Sequence, residues 1–219
     1  MKTYIAFFIL FIGLSLGINA QSIYSFGAYY SPMYTSRITG SGSDLNWLKK
    51  EWDRLEKGGM GYSVGAFTER SLSDKLTVRA GLGFASYGER VDSLINFGID
   101  KFKNDYRFLE VPMVACYSFG KNKASHPYFS LGYSLNYFLN KRNTYSLVGS
   151  KRDEAIILKD NVNVVNHALR FAVGFDFFLD KKWSLRTELF ANQFISSISQ
   201  DAISRRPVAF GLSFQLRKK

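Results

Sequence analysis

The sequence predicts an all-β fold, an eight-stranded antiparallel transmembrane β-barrel with one short helix in its first outer loop. Two observations predict it. Apolar residues alternate with small or charged residues over segments of about ten residues, which is the pattern of a β-strand with unlike faces. The connections between these segments are alternately short and long, as in the barrels of bacterial outer membranes.

The first residues of the chain indicate export. Lys2 supplies a positive charge, residues 5–16 form a short apolar stretch, and small or neutral residues lead to a cleavage point before Gln21. This order is typical of a secretory signal peptide. We therefore predict a signal peptide over residues 1–20 and one barrel domain over residues 21–219.

Eight later segments alternate with a period of two. In the segment 166–179, for example, His167, Leu169 and Phe171 lie on one face, and Ala168 and Arg170 on the other. The segments cover residues 22–34, 60–69, 76–85, 109–118, 128–139, 166–179, 183–192 and 208–217. Short connections lie near residues 73–75, 120–123 and 180–182, and long ones cover residues 35–58, 90–105, 140–165 and 195–206. An even strand count returns both termini to the periplasmic side.

A membrane barrel and a soluble, lipocalin-like barrel differ in which face of the strands points outward. If the large apolar face met water, it would far exceed the few hundred Å² that soluble monomers tolerate. If the charges met lipid, each arginine near the midplane would cost about 2–4 kcal/mol. Both costs vanish when the charges line the lumen, so we predict a structural polar network there. Its members are Glu69, Arg79, Glu110, Arg170, Asp176, Arg186 and Glu188.

The first long connection contains a helical pattern over residues 43–57. Ser43 is a candidate N-cap, Asp44 favours the positive end of the helix, and Gly58 can end it. One face of this helix would carry four apolar side chains. They are Leu45, Leu48, Trp52 and Leu55. Two interpretations stay open: a helix packed on the rim of the barrel, or an interfacial helix that contacts a partner.

The net charge of +11 suggests anionic partners. Nucleic acid is not expected, because the chain is exported and its Lys and Arg are dispersed among Asp and Glu. The charge instead favours contact with outer-membrane lipid and the phosphates of lipopolysaccharide.

Residues with catalytic or metal-binding chemistry are few. The chain has two histidines, His126 and His167, and one cysteine, Cys116. None stands in the spacing of a catalytic triad or a metal site, so we read the histidines as surface residues and Cys116 as an inert residue of the lumen side. We expect no enzymatic activity, no cofactor and no metal. A lipid-modifying enzyme and a small-solute channel are the alternatives, although an eight-stranded barrel is filled by its side chains.

Short motifs give a family resemblance. Residues 106–113 (YRFLEVPM), the Gly-rich segments 79–84 and 129–133, and the closing segment 210–214 resemble the PorT-like outer-membrane β-barrel family of Bacteroidota, over residues 21–219. The resemblance implies an eight-stranded barrel in the Gram-negative outer membrane, with both termini in the periplasm. It assigns no single activity, but the namesake of the family is associated with protein secretion. The expected role is therefore a structural or interaction component, or an accessory of protein secretion.

Overall fold

The computed structural model describes residues 24–40, 50, 56–94, 99–119, 125–147, 153–158, 162–199 and 204–218. The regular structure within these ranges consists of strands, apart from Lys50, which has a helical backbone. The strands are β1 (Tyr24–Gly40), β2 (Glu56–Ser71), β3 (Leu76–Leu94), β4 (Ile99–Ser118), β5 (Ser125–Leu147), β6 (Asp153–Leu158), β7 (Val165–Phe178), β8 (Trp183–Phe194) and β9 (Ser204–Lys218).

Antiparallel pairing closes the sheet into a ring. The order around the ring is β1–β2–β3–β4–β5–β7–β8–β9, and β9 pairs with β1 again. Strand β6 stands outside it and pairs with β5 alone among the described strands. The closed ring has eight strands, but the predicted total of eight is not confirmed, because the described residues form nine strands. The extra strand arises because β5 is long: its first part pairs with β7, and residues 141–146 pair with β6.

Several predicted outer loops are largely strand. The segments 90–105 and 140–165 were expected to be loops, yet β3 continues to Leu94, β4 begins at Ile99 and β5 continues to Leu147. Both faces of these extensions are polar in places, so the alternation fades while the backbone ladder continues. The predicted helix is corrected at its end, where Glu56, Lys57 and Gly58 belong to β2. Its contact face, Leu45, Leu48, Trp52 and Leu55, lies outside the described residues, as does the predicted signal peptide.

Two short turns at one end of the ring are stabilised by the same kind of side-chain to backbone hydrogen bond. Ser73 Oγ accepts hydrogen bonds from the backbone N–H groups of Lys75 and Leu76, at 3.3 and 3.1 Å. Asp180 Oδ1 does the same for Lys182 and Trp183, at 2.6 and 2.7 Å. Such side-chain acceptors replace backbone partners in tight turns. The start of β1 and the end of β9 lie at this same end, where Phe26 faces Lys218.

The two faces of the ring differ as the alternation requires. On β8, Ser184, Arg186, Glu188 and Phe190 are buried inside, whereas Leu189 is 62% exposed on the outside. Large apolar residues are exposed in the same way on the outer face of the other ring strands. No helix in the described ranges is long and apolar enough to cross a membrane.

Candidate functional site

The interior nearest the short turns holds two acids and two arginines. Arg186 donates to Glu69 at 2.6 Å and to Asp176 at 3.1 Å. Arg217 donates to the same two carboxylates, with Asp176 at 2.6 Å, and also to Ser184 Oγ at 2.9 Å. These residues are at most 7% exposed. Each guanidinium therefore bridges two carboxylates, a geometry that suits its fan of N–H donors.

Glu188 is the centre of the next layer. Its carboxylate accepts from Arg170 at 2.7 Å, from Gln215 Nε2 at 2.7 Å and from the hydroxyl of Tyr128 at 2.8 Å. Arg79 lies 3.7 Å from it and donates to Gln215 Oε1. Because Glu188 is 1% exposed, these donors replace the water that its charge would otherwise need.

Glu110 completes the polar interior. It is 3% exposed and accepts a hydrogen bond from Ser63 Oγ at 2.9 Å. A cavity of about 20 Å³ lies between Glu110, Arg170, Glu188 and Arg79, which is room for about one water molecule. The buried charges described so far balance, since four carboxylates (Glu69, Glu110, Asp176, Glu188) face four guanidinium groups (Arg79, Arg170, Arg186, Arg217).

Above the charges, the lumen is closed by aromatic side chains. The ring of Phe108 lies 5.7 Å from Tyr87, 5.7 Å from Phe138 and 5.6 Å from Phe194, centroid to centroid. Ile198, from the β8–β9 connection, is 1% exposed in the same cluster. Its backbone is held by hydrogen bonds to Asn163 and Arg205, at 2.9 and 2.8 Å. The outer half of the interior thus contains an aromatic cluster, and a further buried ion pair, Arg37 to Glu89 at 3.3 Å, lies beside it on the inner face.

The sequence-based set of lumen residues is brought together in one interior. All seven lie on the inner face, and two pairs are directly opposite on neighbouring strands, Glu69 with Arg79 and Asp176 with Arg186. The set omitted Arg217 and Gln215, although the alternation of the last segment places both on its small and polar face. It also omitted the aromatic cluster, because Tyr87, Phe108 and Phe194 lie beyond the segments that alternate cleanly.

The histidines and the cysteine occupy separate places. Cys116 is 1% exposed in the lumen, and its Sγ lies 3.9 Å from Arg186 Nη1. His126 packs edge-on against Phe178, with ring centroids 5.3 Å apart. The Nδ1 atom of His167 contacts the hydroxyl of Tyr133 on the outer face. In the described part of the chain, no three His, Cys, Asp or Glu residues are grouped so that they could hold a metal ion.

Several solved structures of outer-membrane proteins are similar to this chain. Neisserial surface protein A has a TM-score of 0.52 and 15% sequence identity, over 91% of this chain and 99% of that chain. The outer membrane protein OprG from Pseudomonas aeruginosa has a TM-score of 0.48 and 12% identity, over 90% and 96%. Ail, the attachment invasion locus protein of Yersinia pestis, has a TM-score of 0.38 and 10% identity, over 88% and 98%. No curated protein matches this chain.

The family is shown by the sequence itself. The model of the family described as outer membrane protein beta-barrel domain matches residues 9–190, which is most of the chain. The ring of antiparallel strands with an apolar outer face agrees with that match. The chain therefore belongs to the outer membrane protein β-barrel domain family and is a β-barrel protein of the outer membrane.

Proposed function

We propose that this protein is a non-enzymatic outer-membrane component that acts as a structural or interaction protein through the outer end of its barrel. One observation carries the proposal. Paired charges and an aromatic cluster fill the described interior, while β3 to β6 extend past the ring at one end. A filled lumen disfavours transport, and an extended sheet offers a surface to a partner.

The positions of the short turns indicate how the barrel is oriented in the membrane. Short turns of outer-membrane barrels face the periplasm, so both termini would be periplasmic and the extended sheet would face outward. An N-terminal signal peptide fits this assignment. Strand β1 ends at this outer end at Gly40, and β2 begins there at Glu56.

A finer assignment rests on residues 106–113, the motif that resembles the PorT-like family of Bacteroidota. These residues lie in β4, where Phe108 and Glu110 are buried inside the barrel. The motif thus supplies one side chain to the aromatic cluster and one to the polar layer. The resemblance alone supports a PorT-like member, and from it we propose a role as an accessory of protein secretion.

The two alternative functions have less support. A channel would need an open lumen, yet Phe108 and Phe194 are both 0% exposed. A lipid-modifying enzyme would need a serine next to a histidine. His167 instead contacts Tyr133, and Ser196 Oγ accepts the backbone N–H of His167 at 2.8 Å.

Site-specific photo-crosslinking in cells tests the proposal. A photoreactive residue at position 157 would replace Ile157, which is 62% exposed on β6 at the outer end. The matched control replaces Leu189, equally exposed at 62% but on the lipid-facing side of the ring. We expect protein adducts from position 157 and none from position 189. Absence of protein adducts from position 157 would argue against an interaction role of the extended sheet.

A further inference from the structure

Three cations stand in one row on the outer face of the barrel. Lys57 on β2 is directly opposite Arg90 on β3, and Arg90 is directly opposite Lys103 on β4. All three side chains are exposed. Directly opposite residues of antiparallel strands point to the same face with Cβ atoms about 5 Å apart, so this pairing of like charges is unfavourable in itself.

Two arginines extend the row toward the lipid-facing surface. Arg142 on β5 is opposite Asp105, and Arg107 is opposite Asn140. Because Asp105 follows Lys103 by two residues, both face outward, and they form an ion pair at 3.0 Å. The charged side chains described on the outward face of this patch are therefore five cations and one carboxylate, namely Lys57, Arg90, Lys103, Arg107, Arg142 and Asp105.

The patch extends from the upper limit of the apolar band to about 10 Å above it. The outward residues of β3 are apolar from Leu76 to Phe84, and Ser86 follows. With a rise of about 3.4 Å per residue and a tilt of about 40°, Arg90 lies about 10 Å above Ser86. Arg107 is opposite Ser86 itself, at the upper limit of the apolar band. Headgroups occupy roughly 5–7 Å beyond the hydrocarbon, and long cationic side chains can reach down into them.

We propose that these five cations form a binding site for the phosphate groups of a lipid headgroup in the outer leaflet. A phosphate placed between Lys57, Arg90 and Lys103 would convert the repulsion within the row into charge-assisted hydrogen bonds. The apolar surface directly below, with Leu82 at 55% and Leu109 at 38% exposure, would receive the acyl chains of the same lipid. Arg142 is directly opposite Ile157 of β6, so the site borders the sheet extension of the proposed function. Its test with lipid A involves no protein partner, so the two proposals can fail separately.

Titration of the detergent-purified full chain with lipid A, followed by native mass spectrometry, tests the site. The variant K57Q/R90Q/K103Q should bind lipid A about 100-fold more weakly, from the contribution of each cation near an anionic surface. The control K75Q/K181Q/K182Q removes the same charge from exposed residues at the short turns. It should keep the affinity of the natural protein. Equal affinity of the two variants would overturn the proposal.

Two further binding measurements distinguish recognition of the phosphates from adsorption of the acyl chains and from misfolding of the variant. Dephosphorylated lipid A should bind to the natural protein as weakly as lipid A binds to the triple variant. If the natural protein bound lipid A and dephosphorylated lipid A equally well, the site would be refuted. For the natural protein, affinity for lipid A should fall steeply as NaCl is raised. An affinity for lipid A that did not depend on salt would refute the proposed site. This measurement uses only the natural protein, so it decides even if K57Q/R90Q/K103Q does not fold.

Discussion

At the scale of single residues, Glu188 shows how a carboxylate is kept inside a membrane barrel. Arg170, Gln215 and Tyr128 donate to its two oxygens at 2.7–2.8 Å. An isolated charge in such a place would cost several kcal/mol. The layer is stable because the donors come from three different strands, β5, β7 and β9, and meet only in the closed ring.

Replacing this carboxylate should be costly. We expect Glu188→Gln to lower the free energy of unfolding by about 3 kcal/mol, because Arg170 and Arg79 lose a charged partner while they stay buried. Urea-induced unfolding of the protein in lipid vesicles measures this. The control Asp74→Asn changes an exposed acid of a short turn and should leave the transition unchanged. If Glu188→Gln unfolded at the same urea concentration as the natural protein, the polar layer around Glu188 would tolerate arginines that have lost this charged partner.

Arg217 gives a second test, with its control in the next residue. Arg217 points inward and bridges Glu69 and Asp176, whereas Lys218 points outward. We expect Arg217→Ala to lower the unfolding free energy by about 3 kcal/mol, and Lys218→Ala to change it little. The same urea titration compares them. If both variants behaved alike, the inward assignment of Arg217 would be wrong.

At the scale of elements, the aromatic cluster joins β3, β4, β5 and β8 above the charged layers. Phe194 ends β8 and contacts both Tyr87 and Phe108, with ring centroids 5.1 and 5.6 Å away. Because no water needs to fill this part of the lumen, the four strands are held together by packing as well as by their ladders.

Removing one ring from the cluster should leave a cavity. We expect Phe194→Ala to cost about 3–5 kcal/mol, whereas Phe194→Leu keeps most of the side-chain volume and should cost less. Unfolding in urea ranks the two variants. Equal stability of Phe194→Ala and the natural protein would mean that the rings do not pack as a core.

At the scale of the whole molecule, the ring of strands predicts how the protein behaves outside its membrane. A closed antiparallel barrel has no free edge to open first. We expect the detergent-solubilised protein to migrate faster on SDS gels when unheated than when boiled. Identical migration before and after boiling would contradict a closed barrel.

The filled interior predicts a second property of the whole molecule. We expect the protein to produce no current steps in a planar lipid bilayer, because charged pairs and aromatic rings close the lumen in succession. The positive control in the same bilayers is an open porin. Stable ion-conducting steps from this protein would contradict the proposed non-conducting role and favour the channel alternative.

Part of this architecture could be predicted from the alternation of residues in the sequence, and part could not. Each of the eight alternating segments overlaps one strand of the ring, because the period of two survives wherever one face meets lipid and the other meets the lumen. The same reasoning failed above the apolar band. There β3, β4 and β5 continue as strands, although neither face has to be apolar. The strand β6 was missed for this reason.

The polar site shows the same division. Alternation alone assigned Glu69, Arg79 and Glu188 to the inner face, but it could not show which of them meet. Arg217 and Glu69 are 148 residues apart in the chain and are brought together because β9 closes the ring near β2. Likewise, the row of Lys57, Arg90 and Lys103 exists only through the strand register, which sets residues on three strands opposite one another.

The sequence by itself therefore determined the all-β class, the inner and outer faces, and membership of the outer membrane protein β-barrel domain family, because these depend on the alternation, composition and motifs of single strands. Only the tertiary structure decided the partners of each buried charge, the aromatic closure of the lumen and the cationic row. These depend on which strands become neighbours and in which register, and that is set by the closure of the whole ring.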